Sequence, residues 1–530
     1  MVLVLAGTTM VYLGIFLVLL CMFSPVWSAD DIKTFNVVNF GAVGDGRNDD
    51  LPAFLKAWEA VCQSESSRVI LVIPERKKFL LTPSTFEGPC KPSFIHIQVS
   101  GNIIAPNSKS GWDGRATNAW LIFENIDHLT VNGNGVFDGQ GHVWWSNPCL
   151  DNNNPSQETQ CKGPTVSIHL NLFLKAWEAV CQSESSRVIL VIPERKKFLL
   201  TPSTFEGPCK PSFIHIQVSG NIIAPNSKSG WDGRATNAWL IFENIDHLTV
   251  NGNGVFDGQG HVWWSNPCLD NNNPSQETQC KGPTALVFRR CDRLRVWGVT
   301  LIRSARSHII LTACNEVSIA NIRIMSPGDS PNTDGIDVSG STNVRIHNSL
   351  IATGDDCIAI GGGSSNVNIS GITCGPGHGI SIGSLGEGGF EIVEDVRVRN
   401  CTIKDTLTGV RIKTWQGGEG YARRITFEGI KLVEVNNPII IDQFYCPSRV
   451  NCKNDTAAVA LSDITFRGIS GTSLMDEVIN LSCSETVGCK NILLDRVYIS
   501  SVKGNPVHAK CVNAHGRHTH TRPVVNCLLP

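Results

Sequence analysis

The sequence predicts an all-β fold, a right-handed single-stranded parallel β-helix with a short N-terminal capping helix. The first observation is a ladder. An apolar-x-apolar template recurs at Leu294/Val296, Val317/Ile319, Val344/Ile346, Val367/Ile369, Val396/Val398, Ile425/Phe427, Ile464/Phe466 and Ile492/Leu494, with steps of 23, 27, 23, 29, 29, 39 and 28 residues. No helical pattern intervenes, so the repeats stack as rungs of a solenoid. The second is composition. Aromatic residues make up 7% of the 530 residues and glycine occurs 49 times, which suits short strands joined by tight turns. The third is a set of four related pieces between Asn332 and Thr414: Asp334-Gly335-Ile336-Asp337-Val338, Asp356-Cys357-Ile358-Ala359-Ile360, His378-Gly379-Ile380-Ser381-Ile382 and Thr408-Gly409-Val410-Arg411-Ile412-Lys413. Each runs polar, small, then apolar at every second position, the period of a strand with one face buried.

From the N-terminus, Met10 to Phe23 is uncharged and 14 residues long. That is short for a membrane span, which needs about 20. With Val26 and Ser28 after it, the stretch predicts a secretory signal peptide over 1–28, and 29–530 is expected to form the β-helix domain. A retained membrane anchor is the alternative. Phe35 to Val38 is a short strand. Asn48, Asp49 and Asp50 offer N-caps to a helix over Ala53 to Cys62, with Phe54, Trp58 and Val61 on one side, as a cap for the open end of the solenoid.

Phe54 to Thr165 reappears, residue for residue, as Phe173 to Thr284, joined by the seven residues Val166 to Leu172. Old repeats diverge and this one has not. It marks a very recent duplication or an assembly error in the sequence, and the error is favoured because a solenoid end has no use for a second cap. The second copy, block 173–284, runs directly into the later rungs and is expected to dock there. The first copy, block 54–165, or its helix, is expected to be displaced.

Twenty cysteines point to an oxidising compartment. Close pairs suggest Cys357–Cys374, Cys446–Cys452, Cys483–Cys489 and Cys511–Cys527, with Cys62–Cys90 and Cys149–Cys161 in the first copy and Cys181–Cys209 and Cys268–Cys280 in the second. No paired CxxC exists, so no metal is expected. His508, His515, His518 and His520 predict a mobile polar tail. Asn321, Asn348, Asn400 and Asn491 predict side-chain ladders at turns. Sequons begin at Asn368, Asn400, Asn454 and Asn480. A net charge of −2 argues against a globally basic nucleic-acid binder.

The four pieces carry the chemistry. With rungs about 4.8 Å apart, Ile336, Val338, Ile358, Ile360, Ile380, Ile382, Val410 and Ile412 point inward, and Asp337, Arg411 and Lys413 point to solvent. Asp334, Asp356 and His378 stand at strand entrances, where a turn can rotate them outward beside Asp355. Carboxylates a rung apart suit glycosidic cleavage, one as acid and one activating water, about 6.5–9.5 Å apart in an inverting enzyme. Arg411 and Lys413 on the same side suit an anionic sugar.

Ser330-Pro331-Asn332-Thr333-Asp334-Gly335, Gly354-Asp355-Asp356, Cys374-Gly375-Pro376-Gly377-His378-Gly379 and Arg411-Ile412-Lys413 resemble the four ordered motifs of the polygalacturonases, family 28 of the glycoside hydrolases. Thr414 to Gly418 and Asn39 to Ala42 resemble the plant members. The resemblance covers the mature chain except the extra copy and implies a pectin-lyase-like solenoid. It implies Asp355 as general acid, Asp334 and Asp356 holding and deprotonating the water, and His378 tuning the acid. It implies Arg411, Lys413, Asn332 and Tyr445 as substrate-binding residues. It implies polygalacturonan as substrate, inversion at the anomeric centre, no cofactor or metal, and a monomer secreted to the cell wall, with no membrane left after signal removal. The alternatives are a product inactivated by the duplication, a β-helix pectate lyase and a wall-binding protein.

Overall fold

Alternation of buried and outward side chains along short strands builds the architecture rung by rung. The structure, a computed structural model, describes residues 32–112, 119–141 except 125, 127 and 128, 165–168, 171–227, 231, 237–264, and 282–530 except 388, 447–451, 453 and 454. The expected signal peptide, the pairs Cys149–Cys161 and Cys268–Cys280 and the sequon at Asn454 lie outside the described residues. The chain divides into two compact units, 1–172 and 173–530.

In the first unit, three small parallel sheets surround an apolar core. Strand Ile32–Asn36 pairs with Arg68–Ile73, which pairs with Phe94–Val99 and then Leu129–Asn132. Helix α1 (Leu51–Cys62) has Pro52 in its first turn, a position where the missing N–H is harmless. Asp50 holds the N-cap position, but its carboxylate accepts from the Val43 and Gly44 N–H groups (2.6 and 3.1 Å) rather than from the helix. Phe54, Trp58 and Val61 are buried as the sequence predicts. Trp58 Nε1 donates to the Glu87 carbonyl at 3.1 Å, and Cys62–Cys90 ties the end of the helix down.

Helix α2 (Asn171–Cys181), the counterpart of α1, spans the boundary and leads into the second unit. A 21-stranded and an 11-stranded sheet follow, and every pairing within them is parallel. These are the walls of a right-handed parallel β-helix, so the predicted fold class holds. The second copy continues into the later rungs, with Val250 opposite Val296 and Leu240 opposite Leu286. The strands of the first copy pair, among the described residues, only within their own three sheets. The inward positions of the ladder are shut off from water: Val296, Ile319, Ile346, Val367, Val396, Ile425, Ile464 and Ile492 are all 0% exposed. Phe205, Phe242 and Phe288 stack on successive rungs with ring centroids 4.8 and 5.2 Å apart.

The six expected disulfides that fall within the described residues are all present. Two expectations are corrected. Asn321, Asn348, Asn400 and Asn491 form no ladder with one another. They take left-handed backbone at φ 52, 52, 54 and 54°, a region asparagine tolerates better than most residues. The ladder runs instead through Asn315, Asn343 and Asn366, each Nδ2 donating to the Oδ1 one rung below, at 2.8 and 2.6 Å. The histidine-rich tail is not loose. His508–Val512 and Ala514–Arg522 are strands of the last rung, paired with Glu477–Ser482 and Cys489–Ser501. Among the described residues no helix is long and apolar enough to cross a membrane.

Candidate active site

Six consecutive strands of the 11-stranded sheet build the site: β1 (Ile309–Thr312), β2 (Ile336–Ser339), β3 (Ile358–Ile360), β4 (Ile380–Leu385), β5 (Thr408–Trp415) and β6 (Asn437–Tyr445). Ile336, Ile358, Ile380 and Val410 stack in register, as do Val338, Ile360, Ile382 and Ile412. All eight are 0–1% exposed. Between these columns, on the opposite face, Asp337, Ala359, Ser381 and Arg411 are in register. Side chains alternate faces along a strand, so burying the isoleucines forces this polar column outward.

Outward does not mean solvated here. Lys413 is 8% exposed and Asp356 1%, and an Asp337 carboxylate oxygen is buried without a hydrogen-bond partner. The expectation that Asp337, Arg411 and Lys413 face solvent is therefore corrected. The groups of neighbouring rungs pack over them and withdraw them from water.

Asp356 is the hub. Its Oδ1 accepts from Ser381 Oγ at 2.7 Å and from an Arg411 Nη at 2.7 Å, and its Oδ2 accepts from Lys413 Nζ at 2.9 Å. Arg411 Nε also donates to Ser381 Oγ at 3.0 Å. Several donors thus satisfy both oxygens of a buried carboxylate, which would otherwise be costly to withdraw from water. Next to it, Asp355 Oδ1 lies 2.8 Å from His378 Nδ1 and accepts the Asp356 N–H at 2.8 Å. The His378 N–H donates to the Asp355 carbonyl, and Thr408 Oγ1 donates to the His378 carbonyl. Gly379 follows with φ 78°, and a Cβ there would lie 2.2 Å from the Gly409 carbonyl oxygen. Only glycine lets the chain turn there and present His378.

The carboxyls differ in proton affinity. Burial, then the charges of Asp337, Asp355 and Asp356, raise Asp334 well above the usual carboxylate range against the pull of Lys413. Burial pushes Asp337 up to about 6, with Asp356 adding to it and Ser307 opposing it by a hydrogen bond. Burial also works to raise Asp355, but the hydrogen bond and charge of His378, with Lys413, outweigh it and hold Asp355 below the usual range. Single atoms of Asp355, Asp356 and His378 lie within 4.8 Å of one another, the only such grouping with metal-ligand potential among the described residues. Asp355 and Asp356 are thus closer than the roughly 6.5–9.5 Å expected of an inverting pair.

Tyr445 pairs in register with Trp415, the two rings edge to face at 5.7 Å, and Lys413 Nζ stands 5.3 Å over the Tyr445 ring. The structure thus brings together Asp355, Asp356, His378, Arg411, Lys413 and Tyr445. Asp334, at the entrance to β2, couples to the group through charge. Asn332 is exposed in the preceding loop at φ 52° and makes no side-chain hydrogen bond among the described residues.

Three neighbours were given no site role by the sequence reading. His308, one rung below, is fully buried; burial pushes its imidazole down to about 4. It is therefore neutral, with Nδ1 donating to the Asp334 carbonyl at 2.9 Å and Nε2 accepting from Ser326 Oγ at 2.9 Å. It stands one rung down at the position of Gly335, the small residue of the template, so the template passes over it. Asp442 sits in register with Lys413, its carboxyl raised by burial. Trp415 buries Nε1 without a hydrogen-bond partner.

Against known proteins, the family model of Glycosyl hydrolases family 28 matches residues 62–171 and 181–522. A probable polygalacturonase of Arabidopsis thaliana is 44% identical over 359 residues, covering 67% of this chain and 79% of the relative. A polygalacturonase of Juniperus ashei is 40% identical, over 66% of this chain and 68% of its own. Among solved structures, an endo-xylogalacturonan hydrolase of Aspergillus tubingensis aligns with a TM-score of 0.53 at 23% identity, over 61% of this chain and 88% of its own. A polygalacturonase of Erwinia carotovora aligns with a TM-score of 0.52 at 21% identity, over 65% of this chain and 93% of its own. At these identities the two structures speak for the fold, while the extent of the family match decides membership. The chain belongs to family 28 of the glycosyl hydrolases.

Proposed function

We propose that this chain is a secreted polygalacturonase, hydrolysing α-1,4-galacturonosyl bonds of pectin in the cell wall with inversion. The observation that carries the reading is the cluster of charged side chains over β2–β5. An Asp355–His378 pair stands there beside a buried Asp356 held by Arg411 and Lys413. The similarity to plant polygalacturonases names the substrate class, and the disulfides suit an oxidising, extracellular setting.

In this reading Asp355 delivers a proton to the leaving oxygen. His378, hydrogen-bonded to it, tunes the proton affinity of that acid. Asp356, held in place by its donors, accepts a proton from the attacking water, and Asp334 helps to hold that water. Arg411 and Lys413 meet the galacturonate carboxylate. Tyr445, braced by Trp415, offers an edge to the sugar, and Asn332 reaches it from the loop. The close approach of Asp355 and Asp356 does not by itself select inversion. That part rests on the family resemblance, and NMR of the first-formed anomer tests it.

The proton inventory favours a second assignment of the same carboxyls, with Asp334 as the donor, because its affinity for a proton is the one raised well above normal. A galacturonide with an activated aryl leaving group decides between them, since such a group departs without an acid. Asp355→Asn should be inactive on polygalacturonate and recover on the aryl substrate. Recovery of Asp334→Asn instead would exchange the roles. No release of reducing ends from polygalacturonate by the folded parent protein would end the polygalacturonase reading, and an unsaturated product would assign a lyase.

A further inference from the structure

Away from the candidate site, the outer face of the 21-stranded sheet carries a row of arginines. Arg295, Ser318, Arg345, Asn368 and Arg397 occupy successive rungs in register. Val296, Val344 and Val396, next to the arginines along each strand, are buried, so the alternation turns the arginines outward. All three are exposed, and none makes a side-chain hydrogen bond or ion pair among the described residues. They recur every second rung, about 10 Å apart. A groove of about 590 Å³ runs along this face. Its lining includes Phe213, His247, Arg293, Arg295 and Arg345, with Glu316 as its one carboxylate. Arg293 is already engaged by Asp246. Asp395, which feels the charge of Arg397, is held by Arg424. Trp297 lies on the same face and is 46% exposed. Its neighbours in register, Asn251 and Ala320, are both smaller than the indole and leave it open.

We propose that this row is a second, non-catalytic binding surface for an acidic polysaccharide. A regular line of unpaired guanidinium groups matches an extended polymer bearing a carboxylate on its sugars, and each fork can grip a carboxylate through two N–H bonds. The exposed indole supplies an apolar face on which a sugar ring can lie. Holding polymer on one wall of the solenoid raises its local concentration at the site on another. The identity of the polymer, polygalacturonate, rests on the proposed function. The existence of the surface does not.

The test is mobility of the full chain in native gels cast with polygalacturonate, dextran sulfate or neutral dextran, alongside turnover of short oligogalacturonates. Asn368 begins a sequon within the row, so all proteins are compared after enzymatic deglycosylation. Replacing Arg295, Arg345 and Arg397 by serine should weaken retention by polygalacturonate about tenfold and leave turnover of short substrates unchanged. Trp297→Ala should weaken polygalacturonate retention further and leave retention by dextran sulfate untouched. A single Arg345→Glu change reports the same loss if the triple variant folds poorly. Unaltered retention in both variants overturns the proposal, as does parent protein held equally by dextran sulfate and polygalacturonate. Row-dependent retention in a protein that cleaves no oligogalacturonate would sustain this surface while removing the proposed function.

Discussion

Asp337 leaves its strand on the polar face, yet one of its carboxylate oxygens is buried without a hydrogen-bond partner, and burial pushes the group up to about 6, above the ordinary carboxylate range. The folded protein therefore holds this proton more tightly than the unfolded chain does. Its contribution to stability is fully present below the ordinary carboxylate range and is lost as pH rises through about 6. Asp337→Asn removes the loss. Denaturant unfolding should show a gain on the order of 2–3 kcal/mol at neutral pH and little change in acid. Lys413→Ala acts in the opposite sense. It strips one of the donors from a carboxylate that is 1% exposed, which should lower stability by about 3 kcal/mol as well as raise KM on polygalacturonate. A rise in KM with no change in unfolding would remove Lys413 from the structural network. At this scale parity in the sequence was enough to place the eight buried aliphatic residues and the polar column. The desolvation of that column was not legible, because it depends on neighbouring rungs that meet only in space.

The disulfide Cys357–Cys374, with a sequence separation of 17, closes the segment that leads from Asp355-Asp356 to His378. Closing a loop of that length stabilises by about 3 kcal/mol in the chain-entropy account. Replacing both cysteines by serine should lower the unfolding free energy by about that amount, and it should reduce kcat more than KM, since it loosens the acid rather than the carboxylate grip. Unchanged kcat would mean that the rung stacking alone positions His378. The strands and α1 were legible from apolar spacing and capping chemistry. The turn asparagines were not, since a left-handed backbone and a side-chain ladder ask for the same residue type. The histidine tail misled for a related reason. Ala514–Arg522 is a strand closing an open end, largely unburied and polar, so it lacks the apolar alternation that marks the inner rungs.

The two identical copies have unequal surroundings. Strand Ile32–Asn36 occurs once and pairs with the first copy at Arg68–Ile73. There Ile70 and Val72, the counterparts of Ile189 and Val191, are half-buried. The matching edge strand of the second copy, Arg187–Ile192, has no such partner among the described residues. It exposes Ile189 by 60% and Val191 by 52%, an apolar edge that invites aggregation. Deleting Phe54 to Leu172 would rejoin Ala53 to Phe173 and restore the α1 sequence ahead of the second copy. All the candidate site residues lie beyond the deletion, between Asn332 and Tyr445. The shortened protein should unfold at higher temperature and stay soluble at higher concentration than the full chain. The exact repeat was legible in sequence. The competition between its copies for a single N-terminal strand needed the pairing in three dimensions.

The most direct measurement is release of reducing ends from polygalacturonate by the full chain, by the form lacking Phe54 to Leu172, and by each with Asp355→Asn. Activity in the shortened form, equal to or above that of the full chain, with Asp355→Asn reducing it a hundredfold or more, on the order of what a positioned acid contributes, is the predicted result. Full activity in a folded Asp355→Asn protein would contradict the account.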